Sequence, residues 1–277
     1  MKPAAFDYVR PQTLADAAAA LREEGVATAA IAGGQSLMPM LNLRAVMVDR
    51  IVDISRLEEL QTVEATPECL RIGALTTHAA IEDGKVPDLH NGLLRRVAWQ
   101  ISYRAVRNHG TIGGSVALAD PSADWPACLI ALDAEVRIAG RDGERREPVA
   151  AFVRDAYATS LAAGEIVLGF DLPRPDRPLR WGFAKVAPKS GAFATSIAVI
   201  TASLDGGPVS VVLSAVASRP FALVEVAERL RDPASSEDTL RSAIAADMEA
   251  QVPNTDAYQR RLHTATILRA AREMRAQ

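Results

Sequence analysis

The sequence predicts an α+β protein in two domains, and three observations carry that prediction. Short strand-like runs mix with capped helices over the first 177 residues. Prolines at 173, 175 and 178 then punctuate the chain. Beyond them come three apolar runs, two of them separated by Asp205-Gly206-Gly207, and after these a helical remainder. The expected division is 1–177 and 178–277, the first part splitting into subdomains of about 1–59 and 60–177.

In chain order, 13–24 (TLADAAAALREE) is a helix with Thr13 as N-cap, Asp16 in the manner of a capping box and Gly25 as terminator. It leads into a strand, Thr28 to Ile31, which ends at AGGQSLMPMLNLR (Ala32 to Arg44). A second strand, Arg50 to Ile54, completes a small strand–helix–strand unit. Short strands follow at 60–64 and 70–73, with an N-capped helix near Thr76–Thr77 and another helix over 89–100. The polar stretch SYRAVRNHG delivers a second double-glycine turn, Thr111 to Ser115. A helix is expected over 121–132, with Asp120 as N-cap and Pro121 at the first helical position. Strands are expected at 134–139, 165–172, 181–186, 196–204 and 209–217, then helices at 221–231, 236–250 and 256–275. The strands after residue 177 form a three-stranded antiparallel unit.

The totals exclude several classes of function. A chain of 277 residues buries roughly three quarters of its unfolded surface, so a full core is available. Composition is that of a soluble globular protein, 49% hydrophobic and 23% charged, with no apolar run near the roughly 18 residues of a membrane span. The N-terminus has no apolar signal core, which points to the cytoplasm. Thirty-one basic and 34 acidic residues give a net charge of −3, with no basic block to attract nucleic acid. Cys69 and Cys128 are too few and too far apart to hold an iron–sulfur cluster and read as buried small hydrophobes. The four histidines lack metal-ligand spacing, and no serine or cysteine nucleophile has a credible base.

The two glycine pairs carry the chemistry. Glycine has no Cβ and tolerates positive φ, so consecutive amides can converge on a phosphate. Neither loop is Gly-x-Gly-x-x-Gly or a P-loop. Two such loops on one domain suggest a two-phosphate ligand, while a tight structural turn is the competing reading of each taken singly.

AGGQSLMPMLNLR and RNHGTIGGSVALADPSADWPACLIALDA closely resemble the paired motifs of the FAD-binding medium subunit of molybdenum hydroxylases, the carbon monoxide dehydrogenase medium-subunit and xanthine dehydrogenase flavoprotein family. FDYVRPQTLADAAAAL and IGALTTHAAI extend the resemblance over most of the chain. It implies the vanillyl-alcohol oxidase and p-cresol methylhydroxylase type of flavin fold, with a C-terminal domain of three antiparallel strands plus helices. It also implies FAD held by Ala32, Gly33, Gly34, Gln35, Ser36 and Leu37 in one cradle and by Thr111, Gly113, Gly114 and Ser115 in the other. Asp124 would accept hydrogen bonds from ribityl or ribose hydroxyls, and Val167 or Leu168 would touch the adenine or the flavin rim. Lys185 would lie near the isoalloxazine, where a cation stabilises negative charge on reduction, and Phe193 would stack on its face. Ser115 and Phe193 stand where asparagine and tyrosine are common. His109 and Arg107 flank the second loop, Arg107 to steady it or a partner surface.

The implied role is electron transfer from [2Fe–2S] clusters of a small partner subunit through FAD to a terminal acceptor. Substrate is oxidised at a molybdenum pterin on a large partner subunit. The assembly implied is a dimer of heterotrimers. A stand-alone flavin oxidase or reductase and a cofactor-free assembly factor are the rival readings.

Overall fold

The computed structural model describes residues 2–141, 143–204 and 206–277. The chain opens with β1 (Asp7–Val9), α1 (Leu14–Leu21), β2 (Thr28–Ile31), α2 (Leu37–Asn42) and β3 (Arg50–Asp53). The three strands run parallel in the order β1-β3-β2. Parallel neighbours need crossover connections, and α1 and α2 supply them. Thr13 Oγ1 accepts the Asp16 N–H, so α1 begins at the expected cap, while Gly25 takes φ +75° beyond its end.

The chain continues through β4 (Val63–Ala65), β5 (Cys69–Gly73), α3 (His78–Glu82), α4 (Leu93–Gln100), α5 (Arg104–Arg107), α6 (Ile112–Leu118), α7 (Asp124–Ala131), β6 (Glu135–Gly140), β7 (Gly143–Pro148), α8 (Val149–Phe152), the hairpin strands β8 (Val153–Asp155) and β9 (Ala158–Thr159), and β10 (Ile166–Pro173). An antiparallel sheet of order β4-β5-β10-β6-β7 forms the centre. Trp125, Phe152 and Phe170 fill the core between this sheet and its helices. Leu57, Leu60, Ile166 and Leu168 bind the sheet to the N-terminal unit.

The last part holds β11 (Leu179–Val186), β12 (Ser196–Ser203), β13 (Val209–Ser214), β14 (Phe221–Ala222), α9 (Val224–Leu230), α10 (Glu237–Gln251) and α11 (Ala257–Arg275). Its antiparallel sheet runs β11-β12-β13-β14. β12 is apolar almost throughout because both its faces are covered: Ile197 and Val199 enter the core around Trp125, and Ala198 and Ile200 the core under α9–α11.

Several expected elements need correction. The C-terminal sheet has four strands, because Phe221 and Ala222 pair with Leu213 and Val212 where a helix is expected. α9 starts only at Val224, its Glu225 and Val226 N–H groups capped by the Asp247 carboxylate of α10. A cap from another helix leaves no local signature. The helix expected from Pro121 starts at Asp124. Residues 120–123 close instead as a turn, the Ala123 N–H reaching the Asp120 carbonyl at 3.0 Å. The Pro121 carbonyl accepts from Ala215 N–H and Ser214 Oγ of the C-terminal sheet, which takes it out of helix pairing.

Residues 58–60 form a 3₁₀ turn, so β4 begins at Val63 rather than at 60, and α4 begins four residues after 89. The stretch read as irregular contains α5, and the charged edge strand β7 was not anticipated. Charges on an edge hide the strand from pattern reading and discourage edge pairing. Of the expected Asp205 hairpin turn, Asp205 itself lies outside the described residues.

Candidate functional site

A cavity of about 890 Å³ runs between the ends of β2 and β10, the loops preceding α2 and α6, and the first residue of α7. Of the residues nominated from sequence, Ala32, Gly33, Gly34, Gln35, Ser36, Leu37, Thr111, Gly113, Gly114, Ser115, Asp124, Val167 and Phe193 all line it. Leu168 and Lys185 do not.

The two glycine loops do different work. Gly34 sits at φ +69°, where only glycine is unstrained. Gly33 is not in that region, but a Cβ there would lie 1.9 Å from the carbonyl oxygen of His109, so the two loops pack backbone against backbone. Among the described residues no protein group accepts from the amides of Gly33, Gly34, Gln35 or Ser36, and the Ser36 side chain makes no capping bond. The second loop keeps its amides for itself. Gly113 N–H donates to Ala74 O at 2.9 Å, Gly114 N–H to Thr111 Oγ1 at 3.0 Å and Ser115 N–H to Thr111 O at 3.0 Å. A Cβ on Gly113 would come within 2.4 Å of Ala74 Cβ, so this glycine serves packing. The uncommitted donors are therefore concentrated in the first loop.

Asp124 opens α7 and is buried. Its Oδ2 accepts from Lys185 Nζ at 2.8 Å, while its equally buried Oδ1 has no partner. Burial pushes the carboxyl above the usual carboxylate range, and Lys185 pulls it back. Lys185 also donates to Gln100 O at 3.3 Å, so the ammonium stands behind Asp124 rather than on the cavity wall. A buried acceptor with no donor costs about 1–3 kcal/mol, and a ligand hydroxyl is the natural partner.

Val167 and Leu168 are sorted by the alternation of the strand, Val167 joining the central core while Ile166 and Leu168 join the N-terminal one. The register of β10 against β6 slips between Val167 and Gly169, and Val167 lines the cavity while Leu168 packs with Leu57 and Leu60. The Leu168 carbonyl accepts from Ala74 N–H. Phe193 is 66% exposed, at the cavity edge beside Gly191. Arg107 is buried, forked onto Glu82 and bonded to the carbonyls of Ile101 and Ser102, so it steadies the segment before the second loop. Asp120 does not cap a helix. Its carboxylate binds the Ser122 N–H and the Tyr157 hydroxyl at the cavity wall.

Sequence reasoning missed His78, Ser102, Tyr157 and the 162–166 segment, all of which line the cavity. His78 becomes visible only through Trp125, 47 residues away, whose Nε1–H it accepts at 3.0 Å.

Free amides at one loop and a buried carboxylate after the other, all on the wall of one cavity of about 890 Å³, suit a dinucleotide. The fold and site suit a dinucleotide-binding protein. Residues 4–175 match the family described as FAD binding domain in molybdopterin dehydrogenase. The alpha subunit of the 6-hydroxypseudooxynicotine dehydrogenase complex of Paenarthrobacter nicotinovorans is 34% identical over 74% of this chain and 69% of its own length. The glyceraldehyde dehydrogenase medium chain of Sulfolobus acidocaldarius is 32% identical over 91% of this chain and 90% of its own length. A structure of carbon monoxide dehydrogenase from Hydrogenophaga pseudoflava that lacks the Mo-pyranopterin moiety of its cofactor aligns at 28% identity with a TM-score of 0.93, covering 100% of this chain and 99% of the other. The chain belongs to the FAD-binding family of molybdopterin dehydrogenases.

Proposed function

We propose that this chain is the medium subunit of a heteromeric molybdenum-containing hydroxylase or dehydrogenase, and that it carries electrons away from the site of substrate oxidation. FAD, when bound, supplies the chemistry that joins one-electron donors to a two-electron acceptor. The protein's own part is to bind and orient it. Gly33, Gly34, Gln35 and Ser36 offer N–H groups to the diphosphate. Gly114 and Ser115 close the cradle from the α6 side, and Asp124 Oδ1 accepts from a ribityl or ribose hydroxyl. Lys185 donates to that carboxylate and opposes the upward push of burial, Val167 and Ile166 provide an apolar wall, and Phe193 offers a ring face at the edge. Phe193 has no hydroxyl and Ser115 no amide, so the first can only stack and the second offers only its hydroxyl and backbone to the ligand, directly or through water.

The single observation that carries this reading is the run of uncommitted amides at Gly33, Gly34, Gln35 and Ser36, on the wall of a cavity that Asp124 also lines. Among the described residues no helix is long and apolar enough to cross a membrane, and no group of three His, Cys, Asp or Glu is placed to hold a metal. The clusters and the molybdenum pterin belong on partners: a small subunit with two [2Fe–2S] clusters and a large molybdenum subunit, arranged as a dimer of heterotrimers in the cytoplasm. A vanillyl-alcohol oxidase type of fold fits the two FAD-gripping subdomains, 1–59 and 60–177, followed by 178–277. The proline-rich 173–178 segment and the core under α9–α11 support that division, while Trp181, Phe183 and Ile197 of the last part also share the central core.

Purification of the full chain with whatever assembles on it tests the proposal. Visible flavin absorbance, one FAD per chain by chromatography after heating, and stoichiometric iron and molybdenum are expected. A flavin-free preparation, or a flavin-bearing active homomer without either metal, would refute it.

A further inference from the structure

We propose that His78 is a tautomer-locked hydrogen-bond donor to the bound cofactor, presenting Nε2–H to the cavity beside the second glycine loop. The inference rests on the FAD reading above and adds a contact to it. Trp125 Nε1–H can only donate, so the His78 Nδ1 that meets it at 3.0 Å must be the acceptor. The proton of a neutral ring then sits on Nε2. Both residues are buried, and their rings lie 6.1 Å apart at 34°, so Trp125 fixes the imidazole orientation as well as its tautomer. Trp125 is the residue after Asp124, on α7, so one short segment sets both the cavity's buried acceptor and its buried donor.

Nε2 itself has no protein partner among the described residues, although His78 lines the cavity and is only 5% exposed. Gly110 explains how the atom stays uncovered. Its backbone is not in the left-handed region, yet a Cβ there would lie 2.8 Å from His78 Nε2. A side chain at 110 would press onto the donor, and glycine leaves it clear. Burial, and then the charge of Arg107, push the imidazole down to about 4, so the ring is neutral across the working range. A neutral donor suits a cofactor that changes charge during turnover, because its hydrogen bond does not depend on pH.

Two variants separate this role from mere support of Trp125. In His78→Gln the amide nitrogen reaches the place of Nε2 and keeps a donor toward the cavity, whereas the shorter amide of His78→Asn reaches only the place of Nδ1 and keeps the acceptor for Trp125. Each is purified as full chain with its co-purifying subunits, stripped of flavin and titrated with FAD. His78→Asn should weaken FAD binding about tenfold and His78→Gln by no more than about threefold, the loss expected for one buried hydrogen bond. The reverse order, or equal affinity in all three proteins, overturns the proposal. A second readout needs no variant: in ¹⁵N-histidine-labelled wild type, FAD should shift the His78 Nε2–H resonance, and an unmoved resonance overturns the donor role while leaving FAD binding intact. Wild-type protein that takes up no FAD overturns the FAD reading, and this proposal with it.

Discussion

Lys185 and Asp124 form an ion pair whose two side chains are each 7% exposed. Removing one member of a buried pair strands the other charge, at a cost of about 3–5 kcal/mol. Lys185→Met should lower unfolding free energy by that order and release flavin, as read by urea titration and by FAD content. Adding Asp124→Leu should restore much of the stability but none of the flavin. A lysine that merely touched the flavin would lose flavin without the stability cost. His78 makes a second prediction, in pH. Its folded pKa of about 4 lies below the unfolded value near 6.5. The unfolded chain therefore takes up a proton that the folded chain refuses, so this contribution is complete above about pH 6.5 and is lost as pH falls toward 4. The loss amounts to roughly 3 kcal/mol. Urea midpoints should fall over that window in wild type and fall less in His78→Gln.

At the scale of the element, the two glycine loops are a pair of backbones in contact, and each glycine answers to a different neighbour. Gly33→Ala would set a methyl 1.9 Å from the His109 carbonyl, with no rotamer to relieve it. That substitution should part the loops and lower thermal stability by several degrees even in flavin-stripped protein. Gly114 faces differently: its nearest neighbours would be Thr111 Oγ1 at 3.0 Å and Ala32 Cβ at 3.9 Å. Gly114→Val should therefore lose FAD while the protein stays folded by circular dichroism. Full flavin occupancy in Gly114→Val would remove α6 from the cradle.

Across the whole molecule, the C-terminal part is not an appendage. Trp181, Phe183 and Ile197 belong to the same core as Trp125 and Phe170, and Trp181 Nε1 donates to the Asn91 carbonyl at 2.6 Å. Lys185 crosses from β11 to pair with Asp124, and Gly191 and Phe193 line the cavity, so the last hundred residues help to build it. α11 lies so close on β11 that a Cβ on Gly182 would meet the Ala270 carbonyl at 1.8 Å. Gly182→Ala should cost about 3 kcal/mol, the upper end for overpacking, and should depress FAD occupancy through Lys185 although it lies outside the cavity. Stability measured by urea and flavin content measured together check this.

What the sequence determined by itself was local or motif-borne. Thr13, Thr77, Ser236 and Asp256 announce their helices because a cap and the amide it binds lie three residues apart. The apolar run of β12 likewise reads directly as a strand, and the structure shows both its faces buried. The loops Ala32–Leu37 and Thr111–Ser115 stood out as a pair because their glycines lie close in sequence, and resemblance attached FAD to them. Tertiary structure alone decided the rest. It showed that Gly33 and Gly113 must lack a Cβ because His109 and Ala74 pack against them, that Val167 and not Leu168 lines the cavity, and that Asp247 caps α9 from another helix. It also set Lys185 behind Asp124 and coupled His78 to Trp125. Each of these depends on a contact between residues distant in sequence, and neither spacing nor propensity encodes such a contact until folding has brought the two partners into one place.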